Sequence, residues 1–314
     1  WTLNCLSCHQ GKVAGRVIPG VPNSLFAFQT LAADLVALRQ LEGEKPTLAE
    51  MGLAFASLGR SNGTTNAQIF SVALVAKRDK DLNVEASARY PKMINHDLDA
   101  PPLWNTSRKR RLYIDGFPEK TARVIMQFVL SESNAGATIR GWEADFHDIL
   151  AWIESLEPPE YLWDVDTRLA AAGEKLFNQT CASCHGTYGP DGEYPEKRID
   201  IADVGTDPLR LKGMPVEHRQ FFKDSWFGEY GERTVVEDPA GYVAPPLDGV
   251  WASAPYLHNG SVPTLWHVLH PDERPQVWLR TEDGYDTDRV GLEVTESDEL
   301  PPETKSRPDE RRRY

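Results

Sequence analysis

The stretches Cys5-Leu6-Ser7-Cys8-His9 and Cys181-Ala182-Ser183-Cys184-His185 decide most of what this chain can be. Each is a Cys-x-x-Cys-His string, the attachment signature for a c-type haem. The two thiols form thioether bonds with the porphyrin, and the histidine binds the iron. The two strings use all four cysteines of the chain. The sequence therefore predicts two covalently bound haem c groups, attached at Cys5, Cys8, Cys181 and Cys184 and ligated by His9 and His185.

Two other uses of a Cys-x-x-Cys pair fit less well. A redox disulfide of the thioredoxin type needs a strand-turn-helix setting, and one copy suffices. A four-cysteine zinc site brings both pairs together but does not require a histidine after each. Haem attachment explains the second cysteine, the histidine and the duplication at once.

The length of 314 residues suits two domains, with one motif in each. Apolar residues recur at helical spacing over 142–156, and Pro158-Pro159 ends that helix. A second helix over Thr167–Gln179 leads into Cys181. The fold class predicted is mainly α, with two cytochrome c-type domains, 1–158 and 159–314, each wrapping one haem. We expect the first domain to be enlarged by loops and the second to be truncated at its C-terminus.

Further helices are predicted over Ser24–Leu41, Thr47–Leu58 and Lys120–Leu130, and we expect little strand. No apolar run approaches the length of a membrane span. The formal charge of −13 lies entirely in the second half, which contains 17 basic and 30 acidic residues. That balance argues against nucleic-acid binding and is compatible with docking a basic redox partner. Covalent haem is attached outside the cytoplasmic membrane, so we expect a periplasmic or secreted protein whose export signal is removed or omitted.

The sixth ligand of each iron decides the chemistry, because a strong protein ligand favours electron transfer and an open side binds O₂ or peroxide. His258 is the best candidate ligand, since it lies in a Pro/Gly/aromatic stretch of the kind that presents single side chains to a site. Met214 and His96 are weaker candidates in loop settings. Trp104, Trp251 and Trp266 are candidate electron relays, with core packing as the alternative.

The stretch Ala254-Pro-Tyr-Leu-His-Asn-Gly-Ser261 resembles the loop after the second haem in bacterial di-haem cytochrome c peroxidases. With Pro245-Pro-Leu-Asp-Gly-Val-Trp251 before it, the sequence more closely resembles the rubber-oxygenase branch of that superfamily. Asp99-Ala-Pro-Pro-Leu-Trp104 and Leu112-Tyr-Ile-Asp-Gly116 are similar to the same superfamily. The resemblance implies two helical cytochrome c domains, with His9 and His185 as proximal ligands and His258 as the loop histidine near the second haem.

The resemblance also implies roles for the two haems. No histidine occurs between His9 and His96, which argues against a peroxidase-like bis-histidine first haem. In the oxygenase branch a phenylalanine closes an apolar distal side, and Phe128 has the matching position. This chain has Ile114 where the oxygenase loop carries an additional aromatic. We therefore expect an oxidoreductase with an open first haem and an electron-relaying second haem, acting with a redox partner protein or a small-molecule substrate. A pure electron carrier with both irons six-coordinate and a peroxidase are the alternatives, and a calcium ion between the domains stays open.

Overall fold

A computed structural model describes residues 4–45, 59–92, 94 and 96–314. The contacts divide the chain into two compact units. Unit A comprises 1–67, 95–103 and 249–314, and unit B comprises 68–94 and 104–248. Each unit contains one Cys-x-x-Cys-His motif. This grouping differs from the predicted division at residue 158, because the chain returns to unit A after residue 248. Which part of the chain wraps each haem stays a prediction.

Unit A combines short helices with three antiparallel strand pairs. Its described helices are Leu6–His9, Phe28–Leu41, Leu265–Leu269 and Pro308–Arg311. The strand pairs are Gln10–Val13 with Arg16–Pro19, Thr64–Thr65 with Leu98–Asp99, and Val277–Asp286 with Gly291–Ser297. The last hairpin lies after Leu269, where no helix is predicted. An apolar cluster packs beneath it, built on Ala254, Tyr256 and Val262.

Unit B is mainly helical. Its helices are Ala67–Val75 (which begins at the last residue of unit A), Ala122–Ile125, Gly136–Gly141, Glu143–Glu154, Thr167–Thr180, Ala182–His185, Ile201–Val204, Leu209–Gly213 and Val216–Asp224. One strand pair joins Arg198–Asp200 to Gly241–Val243. The core is a cluster of buried apolar side chains: Val75, Leu82, Phe117, Val124, Met126, Leu130, Ile139, Met214, Phe222, Trp226 and Phe227.

The two helices that flank the predicted boundary are confirmed as Glu143–Glu154 and Thr167–Thr180. Asp166 is the N-cap of the second helix, and its carboxylate accepts from the backbone N–H groups of Arg168 and Leu169. Such an N-cap satisfies donors that the first turn leaves without partners. The helix then runs into Cys181, as its apolar spacing predicts.

Other predicted helices are shorter than expected. The helix expected from Ser24 begins at Phe28. The one expected over Lys120–Leu130 is an α-helical turn, Ala122–Ile125, followed by a 3₁₀ turn, Met126–Val129. The predicted helix Thr47–Leu58 lies outside the described residues. Within the described ranges, no helix is long and apolar enough to cross a membrane.

Candidate haem-binding sites

Both motifs fold as one helical turn. The N–H of His9 donates to Cys5 O at 3.0 Å, and the N–H of His185 donates to Cys181 O at 3.0 Å. In a helix, residues i, i+3 and i+4 lie on one face. The two thiols and the imidazole of each motif therefore share a face, which is the arrangement that one porphyrin edge and its iron require. No disulfide joins the four cysteines.

Each motif histidine has its Nδ1 fixed by a proline carbonyl. His9 Nδ1 lies 3.0 Å from Pro101 O, and His185 Nδ1 lies 2.8 Å from Pro245 O. A carbonyl only accepts, so Nδ1 carries the proton in both rings and Nε2 holds the lone pair. Partners of this kind orient a metal-ligating histidine and raise its basicity as a ligand. Both imidazoles are therefore prepared to bind iron through Nε2.

The protonation states in unit A also fit haem attachment. Burial lowers the pKa of His9 to about 4, and the contact with Pro101 O only partly offsets this effect. The ring is therefore neutral near neutral pH, as a metal ligand must be. Burial raises the pKa of the Cys8 thiol to about 11, with the neighbouring Cys5 adding to the rise. The Cys8 thiol is therefore protonated near neutral pH.

The sequence analysis did not predict the two proline acceptors, although a repeat in the sequence marks them. The tetrapeptide Ala-Pro-Pro-Leu occurs twice, at 100–103 and at 244–247. In each copy, the first proline supplies the carbonyl that holds a motif histidine. A search for repeats outside the cysteine motifs would have paired the two copies. The duplication thus includes the proximal support as well as the attachment site.

His258 lies in unit A, together with His9. Its main-chain carbonyl accepts from the N–H of Asp99 at 2.9 Å, two residues before Pro101. Its imidazole is half-buried, and its Nε2 is shielded from solvent. The resemblance associates this loop histidine with the second haem, whereas the described contacts tie it to the strand that leads to the loop supporting His9. Its assignment to either haem stays a prediction.

The other predicted site residues differ in their surroundings. Phe128 belongs to unit B, is 39% exposed, and stacks on Phe70 at a ring-centroid distance of 6.5 Å. Met214 is buried in the apolar core of unit B beside residues such as Phe222, which is a packing role. His96 is buried in unit A. Phe128 is thus partly exposed, and its place at the first haem stays a prediction.

A buried ionic cluster in unit B was not anticipated from the sequence. The Asp115 carboxylate is fully buried and lies 2.8 Å from Arg219 Nη1 and 3.2 Å from Arg210 Nη1. Burial and the two arginines lower the pKa of the adjacent His218 to about 3, so that ring stays neutral. The Arg219 guanidinium also lies over the Phe117 ring at 5.2 Å. The cluster joins the 113–117 loop to the helix Val216–Asp224.

Comparison with known protein families agrees with the prediction of a c-type cytochrome. The profile of the RoxA-like, cytochrome c-like family matches residues 241–279, which include Pro245 and His258. These findings support a c-type cytochrome. Covalently bound haem c is the cofactor that such a domain implies.

Two relatives come from Sinorhizobium fredii (strain NBRC 101917 / NGR234). The uncharacterized protein y4iM is 33% identical over 222 residues, which are 62% of this chain and 49% of that protein. The uncharacterized protein y4iJ is 26% identical over 200 residues, which are 43% of this chain and 32% of that protein. The aligned residues thus span about half of the first relative and a third of the second.

Proposed function

We propose that this chain is a di-haem c-type cytochrome that acts in oxidation and reduction outside the cytoplasmic membrane. The observation that carries the proposal is the pair of hydrogen bonds from His9 to Pro101 and from His185 to Pro245. Each bond leaves Nε2 of a Cys-x-x-Cys-His histidine as the atom that would bind iron. When bound, haem c supplies one-electron chemistry and, where its sixth position is open, a site for O₂ or peroxide.

In this proposal the two haems have different tasks. The haem at His9 would be the open one, with Phe128 on its distal side to exclude water. The haem at His185 would relay electrons to it or from it. An apolar distal wall favours a neutral ligand such as O₂. The exposed ring of Phe128, stacked on Phe70, is suited to lie against a flat group.

Haem content is the first test. Denatured protein should keep two haems per chain bound through sulfur, seen as a mass gain of two porphyrins and a c-type pyridine haemochrome spectrum. Replacing Cys5 and Cys8 by serine should remove one haem, and replacing Cys181 and Cys184 should remove the other. Extraction of the pigment into acidified organic solvent would refute covalent attachment.

Ligand binding then tests the division of tasks. The oxidised protein should show one high-spin haem, and the reduced protein should bind one CO per two haems. Phe128→Ala should change CO binding at one haem only, while Phe70→Leu, which removes the stacked neighbour of Phe128, should have a smaller effect. Two low-spin haems that bind no CO would exclude both the oxygenase and the peroxidase hypotheses.

A pure electron carrier is the second candidate. Unit A contains His96 and His258 besides His9, so imidazoles that can supply a sixth ligand belong to the unit of the first motif. In this case His96→Ala or His258→Ala should convert one low-spin haem to high spin. A wild-type protein that already has a high-spin haem would count against this candidate.

A further inference from the structure

Residues 244–248, here called the second proximal loop, carry the carbonyl that orients His185. Tyr188 connects this loop directly to the haem motif. Its hydroxyl donates to His185 O at 3.0 Å and accepts from the N–H of Leu247 at 2.8 Å. One side chain thus links the main chain of His185 to the second proximal loop, two residues after Pro245.

Arg108 makes a second connection of the same kind. Its Nη1 lies 2.5 Å from the Asp248 carboxylate, and its Nη2 donates to Thr187 O at 3.3 Å. The guanidinium also lies over the Tyr188 ring, 5.4 Å from the centroid. Arg108 therefore restrains Tyr188 as well as the two segments that Tyr188 joins.

Three further side chains fix the carbonyls of the loop. Trp104 Nε1 donates to Asp248 O at 2.8 Å, and Asn105 Nδ2 donates to Pro246 O and Asp248 O, each at 3.2 Å. Tyr194 donates its hydroxyl proton to Ala244 O at 2.6 Å. Trp104 and Asn105 are almost fully buried. Buried side chains with satisfied donors hold a single geometry, so the carbonyl of Pro245 has little freedom.

The first proximal loop, residues 100–103, is held in another way. The N–H of Leu103 donates to Gly20 O at 2.8 Å, and just before the loop the N–H of Asp99 donates to His258 O at 2.9 Å. The distance from histidine to proline is 3.0 Å in this loop and 2.8 Å in the second. The second histidine thus has the closer acceptor.

We propose that Tyr188 and Asn105 are positioning residues that set the reduction potential of the haem at His185. By fixing the Pro245 carbonyl against Nδ1–H, they raise the electron donation of the imidazole to iron. A more basic ligand favours Fe(III) over Fe(II) and lowers the potential. This inference rests on the proposed function, in that His185 must ligate a haem iron.

The test is a spectroelectrochemical titration of the full chain with both haems attached. Tyr188→Phe removes the hydroxyl and keeps the ring beneath Arg108. We expect about a tenfold shift of one Fe(III)/Fe(II) equilibrium towards Fe(II), which is about 59 mV upward for a one-electron couple. The other haem should keep its potential. Tyr230→Phe is the matched control, because its hydroxyl donates to Asp81 at 2.7 Å and not to the loop.

Asn105→Ala supplies an independent variant, which decides the matter if Tyr188→Phe fails to retain the second haem. It should move the same potential in the same direction. Unchanged potentials in a variant that retains both haems would overturn the inference and leave the proposed function intact. A wild-type protein without covalent haem would instead refute the proposed function itself.

Discussion

Removal of the Asp115 carboxylate is the change for which the structure predicts the largest loss of stability. Asp115 is fully buried and contacts two arginines that are themselves buried. Asp115→Asn keeps the shape of the side chain and removes its charge. Arg210 and Arg219 then remain in the interior without the carboxylate that both of them contact. Breaking a buried ion pair by removing one partner costs about 3–5 kcal/mol.

The expected loss of stability can be measured by thermal unfolding. A unit of this size loses about 2–4 °C of melting temperature per kcal/mol, so Asp115→Asn should lower the melting temperature by about 6–20 °C. The assay is circular dichroism of the haem-loaded protein near neutral pH. Glu229→Gln is the control, because it removes a carboxylate from a partly exposed pair with Arg233 and should cost about 0–1 kcal/mol.

A second variant tests the physical reason for the loss. Arg219→Met should cost less than Asp115→Asn, because it leaves the carboxylate paired with Arg210 and retains an apolar side chain over the Phe117 ring. The reverse order, or a melting temperature for Asp115→Asn within about 2 °C of wild type, would refute the view that uncompensated buried charge dominates this cluster.

Two further predictions concern unit B. His218 has a pKa of about 3 in the folded protein and about 6.5 when exposed, so the unfolded chain binds more protons between these values and stability should fall as the pH falls through them. His218→Gln should reduce the slope of the unfolding free energy against pH by up to about 1.4 kcal/mol per pH unit, measured from urea midpoints at a series of pH values. An unchanged slope would count against a buried neutral ring. Gly186, directly after the second motif, has φ of +86°, and an added Cβ would lie 2.4 Å from Glu193 O. Gly186→Ala should therefore reduce attachment of one haem. Gly189→Ala is the control, because φ is +94° there but the space is open, and it should cost only about 1–2 kcal/mol in unfolding experiments. Equal haem loss in both variants would contradict the steric reason.

The chemistry of attachment was predictable because it is local. Two thiols and an imidazole within five residues suffice to indicate a haem attachment motif, and the structure has one helical turn at both motifs. The helices Glu143–Glu154 and Thr167–Thr180 were equally predictable from the sequence, since apolar spacing and flanking prolines act over a few residues. A repeated Ala-Pro-Pro-Leu was also present in the sequence, and only its meaning required the structure.

Tertiary structure decided what depends on residues far apart in the chain. Asp115 meets Arg210 and Arg219 across about a hundred positions, and Asn105 reaches Asp248 across a still longer separation. Sequence spacing does not encode such pairs, because a charge or an amide gives no sign of its partner until the packing of apolar surfaces brings the segments together. The sequence by itself determined which residues are candidates for haem attachment, and the tertiary fold decided which carbonyls, hydroxyls and guanidinium groups hold each Cys-x-x-Cys-His motif in place.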